Sequence, residues 1–172
     1  MSKFRSIECR ELDFNVFNEI GERMLLITAS DEKNGRINAM TASWGTMGIL
    51  WNKPVCILFI RPQRYTKELV DSEGSFSVNV LEPGHKQAYA ICGSLSGRDN
   101  DKIAMSGLNP VMLGRAQGFD ESQLVLEVKK LYTDTLKAGG FLGKEELGHY
   151  KDGDFHDVYV CEIVSAYLKE EN

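Results

Sequence analysis

Residues Ser75–Leu81, SFSVNVL, alternate strictly, with Phe76, Val78 and Val80 on one side and Ser75, Ser77 and Asn79 on the other. A period of two belongs to a β-strand and matches no helix, whose faces recur at 3.6 residues. The same preference runs through the chain. Arg23–Ser30 (RMLLITAS) is a short apolar run, and Lys33–Arg36 (KNGR) reads as a hairpin turn, because Asn-Gly accepts the positive φ angles such turns need. Ile37–Trp44 (INAMTASW) returns as a second strand. Pro54–Arg61 (PVCILFIR) is almost continuously apolar, as a strand covered on both faces would be. Gln123–Leu131 and Val158–Tyr167 complete the set. Helical patterns are short and few: Tyr65–Asp71, Gly84–Cys92 and Asp99–Ser106. At least six strands without β-α-β alternation predict a mainly β fold, an antiparallel barrel closed or nearly so, with a few short helices. Closure would remove the exposed strand edges that seed aggregation.

A chain of 172 residues fits one domain, spanning 1–172. Its 42% hydrophobic and 26% charged residues exclude a disordered or fibrous class. No apolar run approaches the ~20 residues needed to span a bilayer. The opening MSKFRSIECRELDF has no apolar stretch of the secretory type, and a cytoplasmic setting is expected. A net charge of -5 argues against nucleic acid and anionic membranes as partners, since both are bound through Lys and Arg. It leaves room for a local cationic pocket. Cys9, Cys56, Cys92 and Cys161 form no close pair, and His85, His149 and His156 lack ligand spacing, so no metal site is expected. Cys56 and Cys161 read as small buried hydrophobes.

Three segments could carry chemistry. Asn38-Ala-Met-Thr41-Ala42-Ser43-Trp44-Gly45 is dense in small side chains and hydroxyls, which lets a flat ligand approach the backbone. Trp44 there either stacks on an aromatic system or walls a pocket, or it plugs the core at a barrel corner. Arg61-Pro-Gln-Arg64-Tyr65-Thr66-Lys67 gathers three cations and hydroxyls at a strand–helix junction. It is either a solvated basic loop or a site for a phosphate dianion at the first turn of the helix. In Ser94-Leu-Ser96-Gly97-Arg98-Asp99-Asn-Asp101-Lys102, Asp99 reads as a helix N-cap, and Arg98 and Lys102 could face one anion. His156 opens the final strand, as a proton donor into a pocket or a solvent-facing residue. Nucleophile-elbow, P-loop and dinucleotide-binding motifs are absent from the sequence.

The ordered set NAMTASWGTMGILWNKPVCILFIRPQRYTKEL, SGRDNDK and HDVYVCEI resembles the flavin-reductase-like family, and within it the flavoredoxin branch. The resemblance implies an FMN-binding split β-barrel of Greek-key type, usually a homodimer holding FMN non-covalently near the subunit interface. It implies an oxidoreductase that takes electrons from NADH or NADPH and passes them through FMN to free flavin or an acceptor protein. The alternative is an FMN electron carrier that does not oxidise a nicotinamide directly. By the same resemblance Asn38, Thr41, Ala42, Ser43, Trp44 and Gly45 would contact the isoalloxazine and ribityl chain. Arg61, Arg64, Tyr65 and Thr66 would serve the phosphate side, Lys102 would be a further contact, and His156 would be the candidate catalytic residue. The sequence departs from the family where Phe155 intervenes in Gly153-Asp154-Phe155-His156, and where 137–153 is longer than the family hairpin. That segment is expected to form a small helix and a lid. The chain also stops soon after the last strand.

Overall fold

The computed structural model describes residues 4–170, so the ends of the predicted 1–172 domain and the first residues of the opening segment lie outside it. Ten strands are present: β1 (Phe4–Ile7), β2 (Leu25–Asp31), β3 (Arg36–Ala42), β4 (Gly45–Leu50), β5 (Lys53–Ile60), β6 (Ser75–Leu81), β7 (Pro110–Leu113), β8 (Ala116–Phe119), β9 (Ser122–Thr135) and β10 (Asp157–Lys169). The helices are α1 (Tyr65–Ser72), α2 (Lys86–Ser94), α3 (Lys102–Ser106) and α4 (Lys144–Leu147), with short 3-10 turns and a π-helical turn at Phe17–Glu22. No described helix is long and apolar enough to cross a membrane.

Strand order in the main sheet is β3-β2-β6-β9-β10-β5-β4, with β1 added alongside β10; β7 and β8 form a separate hairpin. Every pairing is antiparallel. In a flat sheet the first and last of these seven strands would lie about 29 Å apart, at ~4.8 Å per strand. They are nevertheless consecutive in the chain, joined by Ser43 and Trp44 alone. Three Cα steps reach about 11 Å at most. The sheet therefore has to curl until its two edges meet at that link.

The expected closure is corrected in one respect. The edges β3 and β4 are not hydrogen-bonded to each other, so the barrel is split and only the covalent chain bridges the gap. The interior is filled by one face of each strand at a period of two: Leu25, Ile27 and Ala29; Cys56, Leu58 and Ile60; Phe76, Val78 and Val80; Leu124, Leu126 and Val128. Cys56 and Cys161 sit directly opposite each other across β5 and β10, both buried.

The polar face of β6 is buried too. Asn79 donates to Thr28 Oγ1 and to the Gln117 carbonyl, each at 3.1 Å, and accepts from Ser122 Oγ at 3.1 Å. Ser77 Oγ accepts from the Gln117 N–H at 2.8 Å. Outside the barrel α2 and α3 pack Ala88, Tyr89, Cys92 and Ile103 against Leu26, Ala39 and Phe119.

Two turn assignments change. The connection from β2 to β3 is a helical turn at Glu32–Asn34 followed by Gly35 at φ 61°, not a two-residue Asn-Gly turn. The tight two-residue turn lies instead at Trp51 and Asn52, both at positive φ, between β4 and β5.

Gly45, the first residue of β4, is placed so that an added Cβ would lie 2.9 Å from the Ile57 carbonyl oxygen of the paired strand. Backbone cannot swing away as a side chain would. Gly45→Ala is expected to destabilise the fold by about 1–3 kcal/mol, read as a lower urea midpoint; an unchanged midpoint would show that the edge has slack.

Candidate functional site

The link between β3 and β4 opens a cavity of about 260 Å³ lined by Met40, Thr41, Ala42, Ser43, Trp44, Phe59, Arg61, Arg64, Gly93 and His156. Five of these positions, residues 40–44, belong to the end of β3 and the link that leads to β4. Trp44 stands partly in solvent, which answers the choice between core plug and pocket wall in favour of the wall. The His156 ring lies 5.1 Å from Trp44, and Phe59 meets it edge-on at 6.5 Å. Thr41 Oγ1 donates to the Tyr89 carbonyl at 2.6 Å, tying this strand to α2.

A second, smaller cavity of about 120 Å³ is lined by Arg64, Tyr65, Thr66, Ser94, Ser96, Gly97 and Lys102, with Gln63 and Leu95. Arg64 lines both cavities. The start of α1 faces this space, and no side chain caps it. Asn38 Nδ2 donates to Thr66 Oγ1 at 2.8 Å inside the fold, so Asn38 orients Thr66 rather than lining either cavity. Gly97 is required by this packing, since a Cβ there would come within 2.2 Å of Asn38 Oδ1.

The electrostatics of the second cavity are unusual. Lys102 is 3% exposed and donates to the Cys92 carbonyl at 3.3 Å. Arg64 donates to the Gly93 carbonyl at 2.7 Å and the Cys92 carbonyl at 3.1 Å. These carbonyls belong to the last turn of α2, where the helix leaves them without an intrahelical donor and carries partial negative charge. No ion pair to a carboxylate is formed by either cation among the described residues. Burial pushes the Lys102 ammonium down to about 8, with the neighbouring Arg64 charge acting in the same direction. Burial also lowers Arg64 from its ordinary value.

The other sequence candidates fall out as follows. Tyr65 points its hydroxyl at Asp31, donating at 3.1 Å, while its ring lines the small cavity. Gly45 lines neither cavity and permits the close β4–β5 approach. Arg98 does not share an anion with Lys102. It pairs with Glu68 and lies over the Tyr65 ring in solvent. The N-cap of α3 is Asp101, which accepts from the Ala104 N–H at 3.2 Å, and not Asp99.

Arg61 lines the large cavity, but its guanidinium pairs with Asp154, donates to the His149 carbonyl at 3.2 Å and lies over the Tyr150 ring. Those partners belong to the 137–155 segment, which folds over the rim with α4 and two 3-10 turns. His149 meets Trp44 edge-on at 5.3 Å, and Tyr150 bonds His156 Nδ1 at 2.9 Å. Phe155 stacks on Tyr150 at 5.0 Å. Sequence reasoning missed Phe59, His149 and Tyr150 as site residues. The first shares its strand with Arg61, two residues on, a period-two signal that could have found it.

Burial, followed by the Arg61 charge, pushes the His156 imidazole down to about 4. An NMR titration is expected to show His156 neutral at pH 6, with its midpoint near 4; a midpoint at the ordinary histidine value would place the ring in water. For Lys102 the folded state holds its proton less tightly than the unfolded chain. Stability is therefore expected to rise with pH from about 8 up to the unfolded value of 10.5. That rise should vanish in Lys102→Met, measured by urea unfolding across the interval.

The sequence profile of the flavin reductase like domain matches residues 17–172. An uncharacterised protein of Escherichia coli (strain K12), YddH, is 32% identical over 94 residues, covering 55% of this chain and 49% of that protein. The chain spans about half the length of the curated relatives it matches. Among solved structures, the flavoredoxin of Methanosarcina acetivorans superimposes with TM-score 0.66 at 24% identity, over 92% of this chain and 76% of that one. An FMN-binding domain of a flavin reductases-like enzyme from Shewanella baltica gives TM-score 0.69 at 15% identity, over 96% and 77%. The match over nearly the whole chain carries the assignment, and the split sheet agrees with it: the chain belongs to the flavin reductase like domain family.

Proposed function

We propose that the protein is an FMN-binding oxidoreductase, taking electrons from NADH or NADPH and passing them to free flavin or a protein acceptor. The observation that carries this reading is the pair Arg64 and Lys102, the first half-buried and the second buried, both without a carboxylate partner among the described residues, where a wide aromatic-walled cavity meets a small hydroxyl-lined one. Burying unpaired charge costs several kcal/mol per ion. A ligand that relieves the cost and fills both spaces has a phosphate at one end and a flat ring at the other. FMN has that shape, and the donor set fits it.

In this reading Arg64, Thr66 and Lys102 hold the phosphate end, with Tyr65 at the side and Asn38 fixing the Thr66 hydroxyl. Thr41, Ala42, Ser43 and Trp44 wall the ring, and Gly45, next in the chain, lets β4 sit close to β5. Bound FMN supplies hydride and single-electron chemistry. The chain supplies orientation, exclusion of water by Trp44 and Phe59, and polar groups near the charge that develops on reduction. His156, neutral at pH 7, is such a group at the cavity wall. The names of the two structural neighbours, a flavoredoxin and an FMN-binding domain, support the same ligand. A homodimer is part of the proposal, and the exposed Ile49 and Trp51 on and beside the edge strand β4 favour it.

One observation favours a second reading, an FMN electron carrier reduced by another protein. His149 and Tyr150 pack over Trp44 and His156, covering ground that a nicotinamide would need.

The test is the visible spectrum of the protein after incubation with FMN and desalting, then under anaerobic NADH or NADPH. Retained flavin bands that bleach support the reductase; bands that persist under both donors support the carrier. Arg64→Ala and Lys102→Met are expected to weaken FMN binding about ten- to a hundredfold each, as lost charge-assisted hydrogen bonds do. Undiminished FMN affinity in both variants would overturn the phosphate assignment.

A further inference from the structure

Tyr150 belongs to the 137–155 segment, outside the strands that build the cavity. Its ring is buried, and its hydroxyl lies 2.9 Å from His156 Nδ1. No other acceptor for that hydroxyl is found among the described residues. If Nδ1 carried the imidazole proton, the phenol proton would be left without a protein acceptor in a buried place, which costs free energy. The phenol therefore donates and Nδ1 accepts. The other ring nitrogen, Nε2, has no protein partner among the described residues and is not sealed from solvent-sized space, while the ring lines the large cavity.

We propose that Tyr150 is a positioning residue for His156: its hydroxyl holds the neutral imidazole as the Nε2–H tautomer and presents that N–H to an electron-rich oxygen or nitrogen of the molecule in the cavity. What the N–H meets rests on the flavin reading; the tautomer does not. Two contacts fix Tyr150 itself. Phe155 stacks on one side of its ring at 5.0 Å, and the Arg61 guanidinium lies 5.4 Å from its centroid. Phe155, next to His156 in the chain, thus acts through Tyr150.

Other ionisable groups around the ring are few. Arg61 reaches in from the end of β5, His149 comes from the same segment as Tyr150, and Asp154 and Asp157 flank His156 in the chain. Asp154 is occupied by Arg61 and Gln63, and Asp157 by Lys67 and Thr135. Neither carboxylate is bonded to the imidazole, so Tyr150 is its one hydrogen-bonding partner among the described residues.

The experiment is a long-range nitrogen–proton NMR spectrum of the full-length protein labelled at histidine, at pH 7, for wild type and Tyr150→Phe. The expected result is His156 in the Nε2–H form in wild type, with the tautomer ratio shifted roughly three- to tenfold toward Nδ1–H in the variant, as loss of one hydrogen bond would do. A wild-type spectrum showing Nδ1–H overturns the proposal even if the variant fails to fold. So does a folded variant with an unchanged ratio. FMN retention is measured on the same wild-type sample. An Nε2–H tautomer in protein that binds no FMN removes the flavin reading and leaves Tyr150 in its role; FMN bound beside an Nδ1–H histidine does the reverse.

Discussion

Ser43 and Trp44 are two residues long as a connection, and the shape of the whole molecule depends on that shortness. A seven-strand path whose ends are joined by so little chain has to roll up. Rolling up puts the apolar faces of six strands inside, and it brings the tip of β3 beside the ends of β5 and β10. Because the edges are bridged covalently and not by hydrogen bonds, the seam leaves backbone and small side chains facing a gap. The cavity is the unfilled part of that seam. Thr41 and Phe59 are held in its wall because their strands turn the neighbouring residues, Met40 and Ala42 on one and Leu58 and Ile60 on the other, into the core.

The second determinant is charge. The sequence offered the start of α1 as either a solvated basic loop or an anion site; of its three cations, Arg61 and Lys67 pair with carboxylates and Arg64 does not. What holds Arg64, together with Lys102 from the start of α3, is the far end of a different helix: the last carbonyls of α2 accept from both. Two positive groups are thereby kept close together in a place of low polarity without a carboxylate to quench them. The fold tolerates this arrangement because the helix end offers partial negative charge. The arrangement stays attractive to an anion because that partial charge does not cancel two full ones.

Much of the strand content was legible: β6 shows plainly the period of two that burial on one face of a sheet imposes, and β5 stands out as a continuous apolar run. The edge strand β4, GTMGIL, was hidden: one side faces solvent, and two of its six residues are glycines, of which Gly45 serves close approach rather than pattern. β7 and β8 were too short to carry a period. The site segments were readable because their chemistry is dense locally, as in Thr41–Gly45 and Arg61–Thr66. Tyr150 was not, since nothing in its neighbours along the chain reveals that it will meet His156. Asp101 displaced Asp99 as the cap because both are carboxylates near a helix start, and the choice between them is made by where the following turn packs.

The segment that closes over the rim is tied off at its base. β9 and β10 remain paired up to Thr135 and Asp157, and the Leu136 N–H donates to the His156 carbonyl at 3.0 Å just beyond. Everything from 137 onward is an excursion from a finished hairpin, and lengthening such an excursion adds chain entropy only logarithmically. Insertions and deletions there leave the register of every strand untouched. In evolutionary terms the scaffold and the entrance are separable: the barrel can be inherited unchanged while the entrance is rewritten, so related chains can share one seam yet admit different molecules to the cavity behind it.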